Sequence, residues 1–243
     1  METTTVVGGV FVALGVAFAW YALRPLAVVP RLLRASVADP SAVESDAEFA
    51  MCRGRAESAG ESFAAPFTGT ECLSVEYEID ERELTPSEIP FTWSRMDDGV
   101  ATAPFDLRGD PDRGAVRVAP DSRRFALDTA SETIGVSAGD DPPERIRSFV
   151  EARGELSPVS GGLLSSLGIG SRRYTERRVD AGGTYLVAGR PEYDEGRTVL
   201  TDPLVITDRS PWGVAVSRLR TAAFPLVVAL LFCGVGAVLL AIS

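Results

Sequence analysis

Three carboxylates stand at alternate positions in the segment 72–80, CLSVEYEID: Glu76, Glu78 and Asp80. A strand sends successive side chains to opposite faces, so these three share a face with Ser74, while Val75, Tyr77 and Ile79 take the other. Closely spaced carboxylates are one way to build acid–base chemistry. On the outer face of a half-buried strand they are more simply a solvated acidic surface, and that is the expectation here. A second acidic group, Asp106-Leu107-Arg108-Gly109-Asp110-Pro111-Asp112, resembles a calcium loop. It lacks the twelve-residue spacing and the closing Glu, which leaves a tight hairpin turn as the better reading.

Other reaction classes fall away on residue type. The chain has no His, no Lys, no Asn and no Gln, and all 24 of its basic residues are Arg. A nucleophile that depends on an imidazole base, or a zinc site built on imidazole, has no ligand to use. Of the three cysteines, Cys233 sits in an apolar stretch. Cys52 and Cys72 are too few for a closed zinc site and are either a disulfide or, preferably, two buried thiols on neighbouring strands. No metal and no cofactor is expected. The 34 acidic residues exceed the basic ones by ten, the balance of a salt-adapted protein from a GC-rich genome. With no basic stripe to neutralise phosphates, nucleic acid is not an expected partner.

The elements that must position these residues begin with two apolar, uncharged stretches, 6–23 and 222–242. A run of about 18 or more apolar residues is long enough to cross a bilayer as a helix. The first ends in Trp20-Tyr21, an interfacial aromatic pair. A cleaved signal peptide, suggested by Ala17-Phe18-Ala19, is the rival reading; METTT lacks the positive charge it requires, which favours a retained anchor. Arg24, Arg31 and Arg34 follow the first stretch, and Arg209, Arg218 and Arg220 precede the second. The outer flanks carry none, so the positive-inside rule predicts a two-pass protein of the cell membrane, central domain cytoplasmic and both termini outside. Gly9, Ala13 and Ala17, with Gly234 and Gly236, could pair the two spans or join two protomers into a homo-oligomer.

Between the spans, residues 24–47 and 209–221 read as juxtamembrane linkers around a domain at 48–208, with Asp39-Pro40 breaking any continuing helix. Strands are expected at 49–57, 72–80, 90–96, 116–118, 125–128, 184–190, 198–201 and 204–207, and turns at 97–99, 109–114 and 180–183. A single helix fits 143–153, opened by Pro142-Pro143, closed by Gly154, with Ile146, Phe149 and Val150 on one face. The predicted fold is mainly β: a compact antiparallel barrel or sandwich with one inserted helix, flanked by two transmembrane helices. Two segments stand apart. The Gly/Ser-rich loop 156–170 carries Leu163, Leu164, Leu167 and Ile169, which could dip into lipid or pack back on the core. Arg172, Arg173, Arg177 and Arg178 could meet head groups or neutralise the acidic surface.

Several stretches, taken in order, resemble a known family. They are CRGRAE at 52–57, APFTGTECLSVEYE at 65–78, Trp93, APFDLRGDPDRGAVRV at 103–118, YTERRVDAGGTYLVAGR at 174–190 and DPLVITDRS at 202–210. Together they resemble the GIDE, or "beside a membrane", domain of membrane-anchored E3 ubiquitin ligases of the mitochondrial outer membrane. In that family the ligase activity belongs to a zinc-binding RING after the second membrane helix; here the sequence ends at Ser243, so a version lacking the RING is expected. The family's domain also faces the intermembrane space, unlike the orientation that the arginines predict. The resemblance implies a non-catalytic recognition or scaffold domain with a protein partner; Pro66, Phe67, Phe105, Asp106 and Leu107 match the family pattern and are either edges that contact the partner or, preferably, core anchors. Two alternatives remain: a protein that binds or organises the bilayer, and E3-like activity completed by a separate RING-bearing chain.

Overall fold

The computed structural model describes residues 2–84, 91–120, 126–154 and 168–242, which form two units: 1–36 with 209–243, and 37–208. In the first unit, helix α1 (Glu2–Leu23) is followed by a 3-10 turn at Arg24–Val28 and the short α2 (Val29–Arg34), and packs against α4 (Pro211–Ala241). Helix α4 therefore starts eleven residues before the stretch expected to span, taking in what the sequence suggested was linker. Ser210 caps it, accepting a hydrogen bond from the Gly213 N–H at 3.1 Å, with Pro211 in the first turn.

Every seventh residue of the helix pair is small and buried: Gly8, Gly15 and Ala22 on α1, and Ala215, Ala222, Ala229 and Gly236 on α4. The partners run antiparallel. A Cβ at Gly8 would lie 3.1 Å from the Gly236 carbonyl oxygen, and one at Gly15 would lie 2.9 Å from that of Ala229. This is a left-handed heptad seam in which missing side chains let two backbones touch. Phe11 stacks on Phe232 beside it, with ring centroids 5.4 Å apart. Gly9 and Gly234, by contrast, have open space where a Cβ would be. Val10, Leu14, Phe18, Phe224, Leu230 and Val238 point outward and exposed. Two helices of this length with apolar outer faces and a thin seam are those of a membrane protein.

The second unit is mainly β. Five strands close into a barrel: β1 (Ala50–Ser58), β6 (Phe105–Arg108), β7 (Ala115–Ala119), β12 (Arg197–Thr207) and β11 (Thr184–Asp194), which pairs back with β1. Phe105, Leu107, Val116, Val118, Val187, Leu200 and Ile206 fill it. The pairing is antiparallel except along one edge of β12, where β7 and then β8 (Ala126–Asp128) lie parallel to it. The two strands expected at 198–201 and 204–207 are thus one. Residues 202–204 of β12 bulge opposite Gly189, a place where Pro203 interrupts no ladder bond. A hairpin that the sequence reading missed joins β11 to β12 through Glu195-Gly196, both with positive φ, as a two-residue turn of the primed type requires.

The second sheet has the order β5 (Phe91–Thr102), β4 (Ser74–Leu84), β10 (Arg172–Val179), β9 (Ser131–Val136), with α3 (Glu144–Arg153) on one face. The turn expected at 97–99 does not exist. Strand β5 runs through it, absorbing Met96 as a bulge opposite Ile79/Asp80. Gly99 is there because the Tyr77 ring lies across it, where a Cβ would come within 2.6 Å of the ring. A small ribbon of β2 (Phe63–Ala64) and β3 (Glu71–Cys72) completes the unit. Cys52 and Cys72 are free, buried thiols in different apolar clusters, and burial pushes both up to about 12.

The seam makes a direct prediction. Gly15→Leu, whose side chain must enter the α4 backbone, lowers stability of the helix pair by about 1–3 kcal/mol. Gly9→Leu, facing open space, stays within about 0.5 kcal/mol of wild type. Förster transfer between labels on α1 and α4, followed through thermal unfolding in detergent micelles, measures both.

Candidate partner-binding groove

Along the edge of the second sheet runs a groove of about 970 Å³. Its floor is Val75 and Tyr77 of β4; one wall is the β5 edge from Asp98 to Ala101, the other is Ser148, Phe149 and Arg153 of α3, and Phe63 and Pro66 close one end. Strand β5 pairs only with β4 among the described residues, so it is an edge strand there, and its residues 98–101 line the groove.

Helix α3 forms as its sequence requires. Pro143 precedes its first turn, Gly154 ends it at φ 63°, and Ile146 and Val150 are buried against the sheet. What holds α3 is Phe67. This ring, 3 % exposed, meets Tyr77, Phe149 and Tyr174 edge-on, with centroids 5.7, 5.5 and 5.3 Å away. The Phe67 backbone is fixed in turn by Glu176, a carboxylate 1 % exposed. Glu176 accepts hydrogen bonds from the Phe67 N–H at 3.1 Å and from the Thr68 hydroxyl, and pairs with Arg178. Glu132 and Asp180 share Arg178, at 3.1 and 3.3 Å. Arg145 adds a clamp from α3, donating through Nε to the Ala65 carbonyl at 3.1 Å.

The groove rim carries charge: Asp98, Glu144 and Arg145 line it beside Arg153. Arg153 lies over the Tyr77 and Phe149 rings, 5.2 and 5.0 Å from their centroids, and reaches Asp97 at 3.4 Å. Tyr77 donates to the same Asp97 at 3.3 Å; burial and that carboxylate push its hydroxyl above its ordinary value. Among the described residues no three His, Cys, Asp or Glu side chains come together to hold a metal. The surface offers apolar floor, aromatic faces and strand backbone, which suits extended peptide better than bond-breaking chemistry.

The opposite face of the same sheet corrects the expectation of a solvated acidic strand. Asp80, 5 % exposed, lies between Arg95 and Arg173, each donating through Nε at 2.9 Å. Glu78 receives Arg95 at 3.0 Å and Arg177 at 3.2 Å, and Arg173 also covers the Trp93 ring at 4.5 Å. Arg172 is 2.6 Å from Glu81. The basic cluster 172–178 is therefore spent on neutralising β4 and its neighbours, one of its two expected roles. Burial opposes ionisation of Asp80, but the bonds from the two arginines outweigh it and hold the carboxyl below the ordinary range. At Glu76 burial prevails over Arg177 and the carboxyl is raised.

The other expected contact residues lie apart. Pro66 lines the groove, but Phe67 lies behind it as its support. Phe105 and Leu107 are fully buried inside the barrel, so they pack the core and offer no groove edge, and Asp106 pairs with Arg117 at 2.5 Å. Residues 109–114 join β6 to β7 as the expected hairpin turn. Leu163, Leu164 and Leu167 lie outside the described residues; Ile169 is half-buried. The groove residues that the sequence reading missed, Gly99, Ala101, Ser148 and Arg153, carried one signal: a glycine at the register position of an inward tyrosine. Comparison with protein-family models, curated proteins and solved structures gave no match.

The signs of the two carboxylate shifts predict the acid response. Asp80 contributes stability in full above the ordinary carboxylate range and loses it as pH falls through its lowered native value; Glu76 acts in the opposite sense and offsets part of the loss. Asp80→Asn should cost about 2 kcal/mol at neutral pH. Its deficit against wild type should shrink as the pH falls below the ordinary carboxylate range, as read from urea midpoints of the full chain in micelles.

Proposed function

We propose that the chain is a membrane-anchored recognition domain that takes an extended segment of a partner protein into the groove between β5 and α3. The observation that carries this reading is a strand that has a neighbour on one side only among the described residues and whose residues 98–101 line an aromatic, helix-walled groove. Such an edge supplies main-chain hydrogen bonds to an added strand, and the groove supplies apolar side-chain pockets. The described part of β5 carries a bulge at Met96 and the charges Asp97 and Asp98, devices that discourage indiscriminate edge pairing while leaving 99–101 open.

On this reading the protein is a GIDE-type domain acting as recognition module or scaffold. The ordered residue matches of the sequence support that relationship. We also place the domain in the cytoplasm of a two-pass cell-membrane protein; the arginines gathered at one end of the helix pair support that orientation.

The test is crosslinking and purification from native membranes at high salt, comparing wild type with Ala101→Arg and Ser148→Arg. Both positions are exposed on the groove walls, so each variant should keep the wild-type melting temperature and lose its stoichiometric partner by tenfold or more, about 1.4 kcal/mol. A partner held equally by wild type and both variants would refute the groove as the binding site. Recovery of lipid alone would point to a bilayer-organising scaffold.

A further inference from the structure

The charges on the rim of the β5–α3 groove narrow the chemistry of what it holds. We propose, resting on the reading of this groove as a docking site for an extended segment, that the segment is acidic. It places an Asp or Glu side chain on Arg145 and an apolar side chain, two residues away, beside Phe149.

Charge is the first argument. Asp98, Glu144, Arg145 and Arg153 line the groove, and three of them are engaged elsewhere. Glu144 is 3.4 Å from Arg147, and Arg153 is 3.4 Å from Asp97. Asp98 stands opposite Glu78 in the β4–β5 register, and residues paired across two strands share a face. Its side chain therefore belongs to the face where Arg95 meets Glu78. Among the described residues no carboxylate pairs with Arg145. This is not for want of acids, which outnumber the bases of the chain by ten.

Placement is the second. Arg145 donates through Nε to the Ala65 carbonyl at 3.1 Å, which ties its guanidinium to the loop that carries Phe67. Gly69, at φ 76°, makes room for the group: a Cβ there would lie 2.9 Å from the arginine Cζ and 3.0 Å from Nη1. A guanidinium held through one N–H keeps further donors in hand, and a fixed fork loses little freedom on meeting a carboxylate.

Spacing is the third. Arg145 and Phe149 are one turn apart on the same face of α3, about 6 Å along its axis. Two residues of an added strand advance about 7 Å and return to the same face. An acid and an apolar residue separated by one residue thus reach Arg145 and Phe149 together. Arg153, a further turn on, already lies over the Tyr77 and Phe149 rings and faces Asp97, so it calls for no second acid.

The experiment immobilises the full chain in detergent micelles and offers it a positional-scanning library of heptapeptides. Their ends are acetylated and amidated, so that no terminal charge stands in for a side chain. Retained peptides, read by mass spectrometry, should favour Asp and Glu over Asn and Gln by about fivefold at one position, with Val, Ile, Leu or Phe two residues away. Arg145→Gln should erase the acidic preference and keep the apolar one, Arg145→Lys should restore most of it, and Arg145→Glu should turn it toward Arg and Lys. Circular dichroism checks the fold of each variant. A photoreactive leucine two residues from the glutamate should crosslink to Ser148 or Phe149 of the wild type, which decides the matter where a variant fails to fold. No acidic preference in wild type, with capture still blocked by Ala101→Arg, would overturn the acidic specificity and leave the groove as a docking site. An undiminished preference in folded Arg145→Gln, or a crosslink outside α3, would overturn it as well. Capture of no peptide, or capture indifferent to Ala101→Arg, would overturn the docking groove and the acidic specificity together.

Discussion

A single buried carboxylate, Glu176, organises the recognition surface from behind. By accepting the Phe67 N–H it fixes one aromatic ring, and that ring is the contact shared by β4, β10 and α3. A carboxylate this deep would be costly alone; Arg178 and the Thr68 hydroxyl compensate it, and Arg178 is shared with Glu132 and Asp180. The arrangement converts polar bonds made within the sheet into the placement of a helix outside it. Without that helix there would be a sheet edge but no groove.

The membrane end depends on the opposite device, an absence of side chains. Lipid offers helices no hydrophobic reason to associate, so contact must come from close packing. Seven small residues at seven-residue intervals on α1 and α4 permit it, and the antiparallel sense follows from the chain leaving and returning at the same end. The sequence also contains glycines that look equivalent, Gly9 and Gly234, yet these face outward. Periodicity, rather than glycine count, distinguishes the seam from the rest.

Much of this was legible beforehand, and the failures have physical causes. The apolar stretches, helix α3, the inward set Val75, Tyr77 and Ile79, and the 109–114 turn follow from local patterns of period, capping and turn residues. The Asp97-Asp98-Gly99 turn was misread because glycine after two aspartates is a local turn signal, whereas its reason here is the Tyr77 ring on the neighbouring strand. The Glu76–Asp80 face was read as solvated because its arginine partners lie on β10, almost a hundred residues away, and on β5. Phe105 and Leu107 drew notice through a resemblance, which marks conspicuous residues without telling core from surface. The groove itself was invisible, since it is formed by a strand edge and a helix face that only tertiary packing brings together.

On the proposed reading, the domain is tethered to a bilayer and its groove waits for a strand. The decisive quantity is therefore the protection of the β5 edge where the protein works. Hydrogen exchange should be measured, in native membranes and again in the purified full-length protein, for those amides of 98–101 that point away from β4, the alternate ones being bonded to it already. Occupied in place and emptied by purification, these amides should exchange slowly in membranes and at least tenfold faster afterwards, a difference of about 1.4 kcal/mol in protection. Equally fast exchange in both settings would mean that no strand is added at this edge, and would contradict the account.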